Sequence, residues 1–201
     1  MGHSARRPAT GAPTGARWLC VGRVAPNKSI EHVVAALAAA RAHDDPDATL
    51  LIIGKAATAS YDDALHRYVH ELGLTGAVRF GGHASDAAVV AAYAQADVLV
   101  VTSAHEGFCV PVVEAMEVGL PVVAFRQGAL PEVLGRAGTF VETRDPYALA
   151  STIGSLLADG PARAAAAGAA RAQLARLDLD SAAERFVDLL GPLARSGDPA
   201  R

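Results

Sequence analysis

The sequence predicts one doubly wound, Rossmann-like α/β domain: a parallel sheet of about six strands, followed by a C-terminal helical tail. Two observations carry that prediction. Short apolar runs recur along the chain, and segments with apolar residues at helical spacing separate them. The runs are apolar almost throughout rather than alternating, as strands covered on both faces must be.

In chain order, residues 18–21 (Trp-Leu-Cys-Val) form the first strand candidate. Ile30, Val33, Val34 and Leu37 then fall on one helical face. Residues 50–53 form the second strand, and Leu65, Tyr68, Val69 and Leu72 mark the second helix. Residues 78–80 form the third strand, after which Ser85-Asp86 supplies a capping sequence for a helix over 86–95 carrying Val89 and Tyr93. The fourth strand is 98–101, and a helix opening at Pro111 is closed by Gly119-Leu-Pro121. Residues 122–124 and 139–141 complete the sheet. Residues 146–158, the Ala-rich 162–174 and 181–190 make up the tail.

The 201 residues are 51% hydrophobic and 19% charged, enough for a real core and unlike a disordered chain. Residues 1–16, rich in Ala, Pro, Gly, Thr and Arg, read as a flexible lead, 17–195 as the domain and 196–201 as a flexible tail. A net charge of -3 argues against a nucleic-acid or membrane-surface binder. No apolar run approaches the roughly 20 residues of a membrane span. The opening Met-Gly-His-Ser-Ala-Arg-Arg lacks the apolar core of a signal peptide, and the two cysteines suggest no disulfide framework. The expected location is cytoplasmic.

In such a fold, ligands meet the loops after the strands. After the first strand, Gly22 permits close backbone approach, Pro26-Asn27 turns the chain, and Arg23 and Lys28 can converge on an anion. A helix-entry loop with two solvated cations is the competing reading. After the second strand, Gly54 would let a ligand near the backbone and Lys55 would reach a phosphate or sugar hydroxyl, or the pair forms an ordinary turn. After the third, Gly81-Gly82-His83-Ala84-Ser85 leaves room for a flat base.

The loop after the fourth strand carries the most chemistry. Pro111 suits the first helical position, and the free N–H groups of the 108–111 turn join the helix dipole in an anion site. Gly107 bends the chain without a side chain in the way. Glu114, in the first turns of that helix, can accept the two vicinal hydroxyls of a ribose. Glu106 lies before the turn, further out, within reach of a sugar's hydroxyls. His66 and His70 are four residues apart without a third metal ligand, and Cys109 has no histidine to activate it, so it reads as a turn residue. Neither G-x-G-x-x-G nor G-x-x-x-x-G-K-[ST] occurs, against a nicotinamide dehydrogenase or a P-loop ATPase.

From Trp18 to about Asp159 the pieces resemble, in order, the C-terminal donor-binding domain of retaining GT-B glycosyltransferases (the glycosyl transferases group 1 family). They are Gly22-Arg23 with Lys28, Leu51-Ile-Ile-Gly54, Val78-Arg-Phe-x-Gly81, Ala96-Asp-Val-Leu-Val-Val-Thr-Ser103, Glu106-Gly-Phe-x-x-Pro-x-x-Glu114, Gly119-Leu-Pro-Val-Val-Ala124 and Gly128-x-x-Pro-Glu-Val133. The resemblance implies a nucleoside diphosphate sugar as donor, with neither a cofactor nor a bound metal. It implies that Arg23 and Lys28 hold the diphosphate, that Cys109 and Val110 amides help, and that Glu106 contacts the sugar with backbone near Gly107 and Phe108. Glu114 would take the ribose, and His83-Ala84 would border the base.

Retention would pass through an oxocarbenium-like state, making Glu106, Arg23 and Lys28 the catalytic set. Ser29 departs from the family, which usually has Gly there. A preceding acceptor-binding domain, through which any peripheral membrane contact would run, is also absent, so this fragment is expected to be inactive alone. A sugar-nucleotide epimerase half and a non-catalytic nucleotide-sugar-binding module are the alternatives. Base, sugar and acceptor stay open.

Overall fold

A computed structural model describes residues 15–177. The strands are β1 (Arg17–Val21), β2 (Thr49–Ile53), β3 (Val78–Gly82), β4 (Val98–Val101), β5 (Val122–Phe125) and β6 (Gly138–Val141). Each falls on an apolar run of the sequence. All neighbours pair in parallel, in the order β3-β2-β1-β4-β5-β6. The order reverses between β1 and β4, where parallel sheets open a crevice for ligands. The loops after these two strands are the ones in which the sequence concentrates its cations and acids.

Helices α1 (Ile30–His43), α2 (Ala59–Glu71), α3 (Asp86–Gln95), α4 (Val110–Val118), α5 (Leu130–Leu134), α6 (Pro146–Ala158) and α7 (Gly160–Leu177) cover the sheet. Two apolar cores lie against it. In one, Val33, Val34 and Leu37 of α1 and Leu149 and Ile153 of α6 meet Leu50, Ile52, Val98 and Val100. In the other, Val112 and Met116 of α4 and Leu130 and Leu134 of α5 meet Leu19, Leu99 and Val122. Each such side chain contributes about 1.5–3 kcal/mol on burial. Strands β4 and β5 are buried at every position, which is why they read as unbroken apolar runs. Among the described residues no helix is long and apolar enough to cross a membrane.

The caps follow the sequence in part. Ser85 Oγ accepts from the Ala88 amide and Asp145 Oδ1 from the Tyr147 amide, while Gly119 ends α4 at φ 73°. Helix α4, however, begins at Val110, so Pro111 is the second helical residue, and Cys109 precedes the helix in a left-handed conformation at φ 63°. Five-residue α5 went unforeseen, being too short to show periodicity. Ser29 is left-handed as well, at φ 50°, between a 3-10 turn over Pro26–Lys28 and α1. That backbone explains a glycine preference there, since a side chain in this region costs about 1–2 kcal/mol. The segment 181–190 and nearly all of the lead and tail lie outside the described residues.

Candidate functional site

The site is built from three loops sewn together at the carboxyl ends of β1, β2 and β3. Gly22 N–H donates to Ile53 O at 2.9 Å, Val24 N–H to Lys55 O at 3.0 Å, and Gly54 N–H to Gly82 O at 2.8 Å. Gly22, at φ 133°, has open space where a side chain would stand, as a backbone approached by a ligand requires. At Gly54 a Cβ would lie 1.8 Å from Gly22 O, so on that side the neighbouring loop packs against it. Arg23 is exposed and pairs with no acid among the described residues. Lys55 is exposed too, and it is its carbonyl that is used.

The loop after β4 is tied directly to the loop after β1. Thr102 Oγ1 donates to Ser29 O at 2.9 Å, and Ala104 N–H to Asn27 O at 2.9 Å. Glu106 does not lie further out, as its place in the sequence suggests, but is buried at 8% exposure. Its Oε1 accepts from Lys28 Nζ at 2.5 Å and from Ser103 Oγ at 2.5 Å. The backbone at Glu106 is held by the loop after β5. Gly128, left-handed at φ 54°, is packed so tightly that a Cβ would sit 2.4 Å from Glu106 O, and the next amide, Ala129 N–H, donates to that oxygen at 3.0 Å. Gly22, Arg23, Lys28, Ser103, Glu106 and Cys109 line a shared crevice. A buried carboxylate is tolerated here because an ammonium and a hydroxyl meet it.

Helix α4 then presents its N-terminus. No backbone carbonyl among the described residues accepts from the N–H groups of Gly107, Phe108, Cys109 or Val110, whereas Val112 N–H is taken by Cys109 O. These free donors and the helix dipole favour an anion. Gly107 has open space around it, and Phe108 and Val110 are exposed beside it. Glu114 is half-buried, and its Oε2 accepts from Tyr93 Oη at 2.7 Å.

Burial pushes both thiols up, Cys20 and Cys109 each to about 12; for Cys109 the Glu106 carboxylate adds to the effect. Cys109 is therefore a protonated packing residue, not a nucleophile. Folded values this far above the ordinary thiol value near 8.5 leave stability untouched below that pH. Above it the unfolded chain releases protons that the folded chain keeps, so each thiol lowers stability by about 1.4 kcal/mol per pH unit up to about 12. Thiol labelling with a disulfide reagent near pH 8 should be slow in the folded chain and complete in urea. Fast labelling of Cys109 in the folded chain would contradict this.

The structure thus brings Gly22, Arg23, Lys28, Glu106 and Cys109 to one crevice, and Gly107, Phe108 and Val110 adjoin Glu106 and Cys109 along the chain. His83 stands apart, exposed after β3, and Ala84 lines an apolar groove beside α3. His66 lies against the Phe80 ring, centroids 3.8 Å apart, instead of pairing with His70. Sequence reasoning missed Thr102, Ser103, Tyr93 and the buttress at Gly128. Ser103, three residues before an acid at a strand end, was the one local signal; the others act only through the folded chain.

Comparison with known proteins bears on the fold and the family. The profile of the glycosyl transferases group 1 family matches residues 6–173. The D-inositol 3-phosphate glycosyltransferase of Corynebacterium urealyticum is 35% identical over 190 residues, which span 91% of this chain and 45% of that protein. The crystal structure of Anabaena HepE in complex with UDP and glucose superposes with a TM-score of 0.78 at 26% identity, covering 89% of this chain and 48% of HepE. The C-terminal domain of a glycosyl transferase group 1 protein from Francisella tularensis shares the fold at 24% identity, TM-score 0.68, with 85% of this chain and 94% of that one covered. The chain therefore spans less than half of the curated relative and of HepE, and nearly all of an isolated C-terminal domain. A profile match over most of the chain, on a parallel six-stranded α/β fold, makes this chain a member of the glycosyl transferases group 1 family.

Proposed function

We propose that this chain is the donor-binding half of a retaining glycosyltransferase that takes a sugar from a nucleoside diphosphate sugar. The observation that carries the reading is the crevice shared by Arg23, Lys28, Glu106 and Cys109, the last of which leads into α4 with its amide taken by no backbone carbonyl among the described residues. HepE, of like fold, was crystallised with UDP and glucose, which supports a diphosphate ligand.

In the proposed reaction the bond from the sugar's anomeric carbon to the diphosphate oxygen breaks, and its electron pair leaves with the phosphate. Arg23, Lys28 and the Cys109 and Val110 amides receive that growing charge; one fixed donor of this kind lowers the barrier by about 3–4 kcal/mol. The sugar passes through an oxocarbenium-like state and bonds to the acceptor oxygen on the face the diphosphate leaves, which retains configuration, while the acceptor's hydroxyl proton passes to the departing phosphate oxygen. Glu106 meets the sugar's hydroxyls and balances Lys28, Glu114 holds the ribose, and His83 and Ala84 border the base. The acceptor would be bound by a preceding domain, so this chain by itself should transfer nothing. Its free cysteines fit a reducing, cytoplasmic setting.

Titration with UDP, GDP and ADP sugars tests the reading. At least one should bind below millimolar, and Glu114→Ala should weaken it about tenfold or more, as loss of two hydrogen bonds from a ribose requires. No binding, or an indifferent Glu114→Ala, would remove the site assignment. Robust transfer to a sugar acceptor by this chain alone would refute the division of labour.

A further inference from the structure

We propose that Tyr93 is a positioning residue for nucleotide recognition: its phenol holds the Glu114 carboxylate in the orientation that meets the vicinal hydroxyls of a ribose. This rests on the role of Glu114 proposed above.

Tyr93 lies in α3 with its ring buried at 3% exposure, and its hydroxyl reaches the neighbouring helix α4. Two oxygens stand within range, Glu114 Oε2 at 2.7 Å and Pro111 O at 3.2 Å. The phenol has one proton, and the shorter, charge-assisted bond to the carboxylate takes it. Burial, reinforced by Glu114, pushes the Tyr93 hydroxyl well above the ordinary tyrosine range, so the donor persists at every working pH. Side chains on a helix lean toward its N-terminus, so Glu114 covers the turn around Val110 and Pro111, beside the free amides. Left alone, a half-buried glutamate samples several rotamers, and a ligand must pay to order it. Tyr93 fixes that rotamer beforehand and occupies one lone pair of Oε2. The whole of Oε1 and the second lone pair of Oε2 remain, which is what two adjacent hydroxyls need.

The test uses the full chain and two probes: whichever of UDP, GDP or ADP binds the wild type best, and its 2′,3′-dideoxy counterpart. Wild type should prefer the ribose form. Tyr93→Phe should weaken that form about fivefold to tenfold, the range expected for ordering one side chain, and leave the dideoxy form unchanged. A merely structural role would weaken both alike, and that result, or no change in either, would overturn the proposal. Indifference of the wild type and of Glu114→Ala to the ribose hydroxyls would instead remove the reading on which it rests, and the proposal with it. Tyr93→Phe deletes one oxygen and keeps the ring; if the variant is too unstable for calorimetry, ligand-induced thermal shifts give the same ratio.

Discussion

Gly54→Ala is expected to destabilise the chain by about 3 kcal/mol or more, lowering Tm by roughly 6–12 °C for a domain of this size. Two costs combine. The φ of 154° lies where side chains are rarely found, and the new methyl would stand 1.8 Å from Gly22 O and 2.6 Å from its carbonyl carbon. Those atoms are backbone, held by the Gly22 bond to Ile53 and the Gly54 bond to Gly82, so neither side yields without parting the ends of β1, β2 and β3. The damage falls at the crevice, and nucleotide binding should fail with it. Gly76→Ala is the control: nothing lies within 4 Å of a Cβ there, and the change should stay within about 0.5 kcal/mol. Urea melts of the two variants decide the matter; equal stability would show that the approach of Gly22 to Gly54 is not a constraint.

The second large effect is expected from Lys28→Met. The substitution keeps the stem and removes the ammonium, leaving the Glu106 carboxylate, 8% exposed, with only the Ser103 hydroxyl and the weakly polar Cys109 thiol beside it. Stranding a buried charge in this way costs about 3 kcal/mol. Glu106→Gln added to Lys28→Met should return part of that loss, because the double variant buries no unpaired charge. The effect on a diphosphate ligand is separate. One charge-assisted contact contributes about 1.5–3 kcal/mol, so affinity should fall about tenfold to a hundredfold in Lys28→Met, and Glu106→Gln should not restore it. If Glu106→Gln rescued binding as well as stability, Lys28 would act only by balancing Glu106.

The sheet was legible in the sequence because strands buried on both faces leave unbroken apolar runs; 98–101 and 122–125 are the clearest, and the structure buries every residue in both. The crevice was legible for a related reason: a doubly wound sheet puts loop residues such as Arg23, Lys28 and Glu106 at strand ends by topology alone. What the sequence hid were contacts between distant segments. Glu106 reads as an outlying acid because the partner that meets its buried carboxylate, Lys28, comes from the loop after β1, far away in sequence. Tyr93 reads as one apolar residue of a helix, since its polar work is done by its single hydroxyl on an acid of a separate helix. At Gly54, too, the sequence hides a long-range contact: the Cβ side of this glycine is filled by Gly22 O of the neighbouring loop.

The most direct measurement is calorimetric titration of the chain with a nucleoside, its monophosphate and its diphosphate, repeated for Lys28→Met and Arg23→Met. A diphosphate cradle predicts that affinity climbs with each phosphate, by about tenfold or more at the second, and that both substitutions flatten the climb. Equal affinity for nucleoside and diphosphate, or a climb that survives both substitutions, would contradict it.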